Sequence, residues 1–221
     1  MQALLNISAV FDAIGRWFGK AVGWLMLPLI AVIMFDVVTR KVEFTRLFLA
    51  DLTVQYGVSL STILQELQWH FHGAILLLSF GFGYLANAHV RVDVFRELFP
   101  RRRQAWSELV LLIIFAIPFL ILMIQYSATL FSISWGQNEG SDSMTGLPWR
   151  WFLKFFMPVG FVIAMLAVLA TAFRLIVYLF GPEFASRDAE TALSIFADDA
   201  AELERARLAA EEALKRETGS A

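Results

Sequence analysis

Four apolar runs dominate the pattern of this chain, at about residues 17–38, 67–86, 107–131 and 153–180. Each reaches the roughly 20 residues that a hydrocarbon layer about 30 Å thick demands of a helix. Their length and lack of apolar–polar alternation favour helix over strand, and in lipid a backbone must satisfy its own hydrogen bonds. The pattern therefore predicts an all-α membrane protein with four transmembrane helices. Residues 40–65 are different: Phe44, Leu47, Phe48, Asp51, Leu52 and Tyr56 fall at partly helical spacing, with Arg46 and Gln55 elsewhere on the wheel. This predicts an interfacial amphipathic segment after the first helix, a simple extension of that helix being the alternative. After Pro182 the pattern changes again. Residues 187–217 are rich in Ala, Glu and Arg, with Leu193, Phe196, Leu203 and Leu214 near heptad spacing and Arg207 interrupting the stripe. The expected division is a four-helix transmembrane domain over 1–182 and a polar, mostly helical tail over 183–221, solvated or loosely docked.

Composition supports lipid as the solvent. Hydrophobic residues make up 58% and charged residues 17%, against about 45–50% and about 25% in soluble domains. The absence of cysteine excludes disulfides, thiolate catalysis and Cys-ligated metal centres, and leaves the redox compartment open. Arg16 and Lys20 precede the first run, but that run is long enough to span and no small-residue cleavage pattern follows it. It is expected to be a retained anchor. Arg91, Arg96, Arg101, Arg102 and Arg103 lie between the second and third runs, with Arg16, Lys20, Arg174 and Arg187 on the same side; Arg40, Lys41, Arg46, Arg150 and Lys154 lie opposite. This bias predicts both termini in the cytoplasm and the 132–152 connection outside, with Trp135, Trp149 and Trp151 forming an aromatic belt there. The expected location is the cell inner membrane, with lipid as a partner and no nucleic acid.

Candidate chemistry is sparse. Asp36 and Arg40 share a face near the outer end of the first span, either as a self-satisfied pair or as a contact with a partner subunit. His70 and His72 begin the second span and His89 follows its inner end. A bis-histidine haem needs an imidazole from each of two facing helices, and His70 and His89 stand about 28 Å apart along one helix. No cofactor, metal site or catalytic residue is expected, and no enzyme activity: there is no glycine-rich phosphate loop, no paired intramembrane acids and no broken-helix repeat. What the spans carry instead are small-residue stripes: Gly15, Gly19 and Gly23 on the first, Ser79 and Gly83 on the second, with Gly73 and Gly81 beside them. Such stripes let helices approach closely, within the chain or against a partner.

The second span makes the chain recognisable. Gln65-Glu66-Leu67-Gln68-Trp69-His70, then a glycine-bearing helix, then His89-Val90-Arg91-Val92-Asp93-Val94-Phe95, resembles the small membrane subunit (DctQ type) of tripartite ATP-independent periplasmic (TRAP) transporters. Asp36-Val37-Val38-Thr39-Arg40, Ser134-Trp135, Gly146-Leu147-Pro148-Trp149-Arg150-Trp151, Lys154 and Pro158-Val159-Gly160-Phe161 extend the likeness over roughly residues 20–180. Residues 41–62 are longer than the usual connection, and the tail after Gly181 has no counterpart. The resemblance implies a scaffold for a large membrane subunit (DctM type) that carries the substrate and sodium sites, served by a periplasmic substrate-binding protein (DctP type). It also implies symport of organic acids. The subunit-interface candidates are Gly15, Gly19, Gly23, Asp36, Arg40, Glu66, Trp69, His70, Gly73, His89, Arg91 and Asp93. Arg91 and Asp93 either pair locally or brace the 87–106 loop or the large subunit. The competing expectation is the membrane anchor of a redox enzyme complex.

Overall fold

A computed structural model describes residues 1–57, 59–88 and 99–193, apart from the side chain of Leu52. His89, Arg91 and Asp93 fall outside the described residues, as does the tail from residue 194 onward. Every regular element among the described residues is helical: α1 (Gln2–Gly23), α2 (Met26–Lys41), α3 (Glu43–Tyr56), α4 (Leu60–Leu85), α5 (Arg101–Leu111), α6 (Ile117–Gly136), α7 (Trp151–Phe180) and α8 (Glu183–Ala192).

Prolines set the breaks within the long rods. Pro28 has no N–H for the Trp24 carbonyl and its ring crowds it, so the chain tightens at Trp24–Leu25, where Leu27 N–H bonds Trp24 O at 3.3 Å. Pro118 has the same effect near the start of α6, and a five-residue π turn at Leu112–Ala116 joins α5 to α6; π turns accommodate such interruptions. The first rod thus covers Gln2–Lys41 and the third Arg101–Gly136. Both exceed the 17–38 and 107–131 expected from hydropathy, because amphipathic turns beyond the apolar runs continue the helix.

Among the described residues, three helices are long and apolar enough to cross a membrane, and a fourth crossing exists if α3 and α4 count as one bent unit. The expected count of four therefore holds only in that form. The reason is the polarity of α4's first half, which carries Gln65, Glu66, Gln68, His70 and His72. α3 is not a continuation of α2: the chain turns extended at Val42, and α3 meets α4 at 98°. Gly57 supplies the left-handed residue that closes α3 (φ 68°), a conformation costly for residues with a Cβ. Ser59 then caps α4, its hydroxyl accepting from Thr62 N–H at 3.4 Å.

α7 is the central post. Of its apolar window 56% is buried, against 17% for each of the other two rods. It packs on α4, α6, α1 and α8. The α4–α7 crossing is a reciprocal glycine contact: a Cβ on Gly81 would stand 2.8 Å from the Ile163 carbonyl oxygen, and one on Gly160 would collide with the Leu77 carbonyl. Ala164, Val168, Ala172 and Leu175 continue the buried face toward α6. The start of α8 docks rather than floats, with Ala185 and Ala189 buried against Val177, Leu4 and Leu5.

Because the α4–α7 approach is glycine-to-carbonyl, Gly160→Val and Gly81→Val are expected to destabilise the fold by about 1–3 kcal/mol through overpacking. Gly23, which has open space around it, is the control: Gly23→Ala should leave stability unchanged or slightly raised. Thermal unfolding in mild detergent, followed by tryptophan fluorescence, measures the difference.

Candidate functional site: two polar clusters at the loop end of the bundle

The end of the bundle that carries the 137–150 connection holds most of the chain's organised polar chemistry. α6 closes there in a Schellman motif, with Asn138 left-handed (φ 47°). Asn138 N–H bonds Trp135 O and Glu139 N–H bonds Ser134 O, both at 3.0 Å; asparagine tolerates this conformation better than most residues. Glu139 is thereby held over α7, where it accepts from Lys154 Nζ and from Ser134 Oγ at 2.5 Å. The hydrogen bonds from Lys154 and then Ser134 hold its carboxyl below the ordinary glutamate pKa.

Glu66 on α4 grips the same connection from the other side. One carboxylate oxygen accepts from Ser141 Oγ and the other from Leu147 N–H at 2.5 Å. Gly146 makes this possible, since a Cβ there would stand 2.5 Å from Glu66 Oε1 and collide with Ser141. Asp142 takes a 2.5 Å bond from Arg150, whose guanidinium lies 5.5 Å from the Trp69 ring centre, within cation–π range. Trp149 adopts a left-handed backbone (φ 65°), and its carbonyl accepts the first bond of α7, from Phe152 N–H at 2.9 Å. The Gly-Leu-Pro-Trp-Arg-Trp run is thus a folded staple between α4 and α7. Trp135 and Trp151 meet edge to face at 4.2 Å, so two of the three belt tryptophans are in contact.

The second cluster joins α2 to α4. Asp36 is buried (6% exposed). It accepts from Arg40 Nε at 2.9 Å and from Gln68 Nε2 at 3.1 Å, and Thr39 donates to its backbone carbonyl. With its amide oxygen turned toward Arg40, Gln65 accepts from that guanidinium at 3.0 Å. A buried carboxylate paired and hydrogen-bonded in this way avoids the cost of an isolated charge. His70 donates from Nδ1 to the Glu66 carbonyl at 2.6 Å and stacks at 4.4 Å on Trp69; His72 is exposed on the next turn.

The structure brings together Asp36 with Arg40, and Glu66, Trp69 and His70 on one stretch of α4. A Cβ on Gly15 would stand 2.6 Å from Leu85, one on Gly19 would collide with Phe82 and one on Gly73 would stand 3.2 Å from Leu153, so these glycines serve contacts within the chain; Gly23 meets none among the described residues. Sequence reasoning missed the pairings of Gln68 with Asp36, Ser141 with Glu66 and Lys154 with Glu139, whose partners come from other elements. It also missed a buried linkage at the opposite end. There Arg174, 8% exposed, donates to Asp12 at 3.3 Å and to the Ala192 carbonyl at 3.0 Å, and Arg16 also bonds Asp12 at 2.7 Å. Among the described residues, no group of His, Asp and Glu is arranged to hold a metal ion.

These features define a polytopic helical membrane protein whose polar groups bind its own helices together. The chain belongs to the family of tripartite ATP-independent periplasmic transporters, DctQ component, whose match spans residues 29–177. It is therefore a transporter component, the small membrane subunit of a TRAP system. The redox-anchor alternative receives no support from this match. No curated protein and no solved structure gives a significant match.

Removing the Glu66 carboxylate leaves the Leu147 N–H unpartnered, which costs about 1–3 kcal/mol for a buried donor. Glu66→Ala is expected to speed proteolytic cleavage within 137–150 several-fold without unfolding the bundle. The Glu139 clamp has a defined acid limit. A folded pKa below the unfolded one stabilises fully above the unfolded value, and that contribution is lost as pH falls through the folded value. Protection of the loop should be constant near neutrality and fall only below about pH 4.3. Glu139→Gln should flatten that part of the pH profile, read by the same cleavage assay.

Proposed function

We propose that this subunit is the fixed scaffold on which a large permease subunit works in sodium-coupled uptake of organic acids, with substrate delivered by a soluble periplasmic binding protein. The carrying observation is the placement of charge. Between the two ends of the bundle no Asp, Glu, Lys or Arg occurs in residues 21–35, 67–90, 109–138 or 155–173. A transport pathway needs polar groups near the midplane. Here Asp36, Glu66, Glu139 and Lys154 are instead committed to joining helices at one end, and Asp12 and Arg174 at the other. The moving parts and the solute site then belong to the partner. The Lys/Arg bias supports an inner-membrane topology with both termini cytoplasmic and the loop end periplasmic. α3 fits an interfacial helix. Phe44, Leu47, Phe48 and Val54 are exposed, while Thr45, Leu49 and Thr53 form the stripe turned toward the protein.

Surfaces for the large subunit remain available. Gly23 is open, Trp69 is 41% exposed, and Arg40 is half exposed although paired. Among the described residues, these three are the interface candidates that the chain's own packing leaves accessible.

Reconstituted alone into liposomes under an inward sodium gradient, the chain is expected to take up no organic acid; uptake above protein-free liposomes would overturn the scaffold reading. The topology has its own test. A cysteine at Met144, which is fully exposed, should label from outside intact cells with an impermeant maleimide. One at Arg187, exposed on α8, should label only after permeabilisation, and the reverse pattern would invert the orientation.

A further inference from the structure

Between α4, α7 and the break in the first rod lies a cavity of about 400 Å³. Its position follows from how that rod divides. α1 packs on both α4 and α7, whereas α2, beyond Trp24–Leu25, packs chiefly on α4 and α3, which leaves room beside α7. On α4 the lining is Leu67, His70, Phe71 and Ala74, the i, i+3, i+4, i+7 spacing of one helix face. α7 adds Phe156, the loop staple adds Trp149, and Leu25 borders the cavity at the break. The lining carries two polar side-chain groups, the His70 imidazole and the Trp149 indole N–H. The Glu66 carbonyl can only accept, so in the 2.6 Å contact the hydrogen sits on His70 Nδ1, and Nε2 of the neutral ring is an acceptor. Neither Nε2 nor the indole N–H has a partner among the described residues.

These facts narrow the occupant. Water filling so large an apolar volume would lack hydrogen-bond partners. An ionised group would need compensating charge, and no Asp, Glu, Lys or Arg lines the cavity. A hydroxyl on an apolar body fits, because it donates to an acceptor such as Nε2 and can accept from an N–H. The order of the lining along the helices then selects a membrane amphiphile. Trp149 lies at the loop end, and His70 is one turn of α4 beyond Glu66. Ala74, Phe156 and Leu25 lie within the stretches that carry no Asp, Glu, Lys or Arg. Polar groups toward the membrane surface with apolar walls toward its interior repeat the polarity of a lipid. The volume falls near the lower end of small-molecule sites, which suits one chain rather than two. We propose that this cavity binds an uncharged, single-chain lipid alcohol, its hydroxyl donating to His70 Nε2 and its chain lying between α4 and α7 toward Leu25. The inference rests on the loop end standing at a membrane surface, and on neither the orientation nor any role in transport.

The test is photolabelling of the full chain in mild detergent at pH 8 with a diazirine-bearing dodecanol, the modified peptides being identified by mass spectrometry. Label is expected within 67–74 and 152–156. Unlabelled dodecan-1-ol should suppress it at about fivefold lower concentration than 1-methoxydodecane, which keeps the chain and the oxygen but has no hydrogen to donate. That ratio is the effect of one neutral hydrogen bond. His70→Phe should erase the ratio, and Ala74→Leu, which fills part of the cavity, should lower the labelling itself. His72→Phe, at an exposed position on the same helix, should change neither. Thermal unfolding of each variant is measured alongside, and the alcohol-to-ether ratio in the unaltered chain decides the matter should a variant not fold. Equal suppression by alcohol and ether, or label confined to other segments, would overturn the proposal. So would an unchanged ratio in folded His70→Phe. Suppression by dodecanoate as effective as that by dodecanol would overturn it too, by showing a site for an anion.

Discussion

The α4–α7 crossing is the contact on which the other features depend. Gly81 lies against the Ile163 carbonyl and Gly160 against that of Leu77, so the two backbones approach to a distance that no side chain would permit. In lipid, where apolar surface gains little by leaving its solvent, such close packing is a principal source of association between helices. Once the crossing is fixed, the start of α7 sits beside the first half of α4, and Glu66 comes within reach of Ser141 and Leu147. The loop staple is thus a consequence of packing set between Leu77 and Gly81, about 16 to 22 Å, or three to four turns, along α4 from Glu66.

The same geometry explains why polar groups gather at the two ends. A buried ionised side chain is tolerated when it is paired and its remaining hydrogen-bonding capacity is met. Asp36 satisfies this through Arg40 and Gln68, and Arg174 through Asp12 and the Ala192 carbonyl. Each cluster also joins elements distant in sequence: α2 to α4 in the first case, α1 to α7 and the end of α8 in the second. With the helices fastened at both ends and packed through glycine and alanine between them, relative sliding of α4 and α7 would break bonds at the loop while driving backbone carbonyls into Cα positions. That combination resists deformation.

Much of this was legible in the sequence. Apolar run length located the membrane rods, and the Asp-Val-Val-Thr-Arg and Gly-Leu-Pro-Trp-Arg-Trp motifs marked both loop-end clusters. What escaped was pairing. Asp12 and Arg174 lie 162 positions apart, and neither carries a local pattern that points to the other. Gln68 belonged to the recognisable motif but pointed to no partner, because its role depends on which helix faces α4. The helix limits were underestimated for a related reason: hydropathy registers contact with lipid, whereas α1 continues to Gln2 by packing one face on α7 and α4. The small-residue stripes were visible, but their occupants depend on register, which composition does not encode; Gly15 and Gly19 meet α4, and Gly23 meets nothing among the described residues.

The distribution of exposed surface completes the physical argument. A chain whose ionic groups were needed for transport would have to keep them available to solute, and availability conflicts with pairing. Lys154 and Glu139 bond each other, with side chains 23% and 30% exposed. Asp36 is covered, and Glu66 is turned into a loop that closes over it. The exposed remainder is largely apolar, from Ile30, Met34 and Phe35 on α2 to Phe115, Phe119 and Leu122 along α6 and the turn before it. Lipid or apolar partner helices can cover such flanks without any polar exchange. Among the described residues at the loop end, Trp69, its stacked Arg150 and the half-exposed Arg40 are accessible non-aliphatic positions that stand on an already rigid frame. Rigidity there lowers the ordering cost of any binding at those positions.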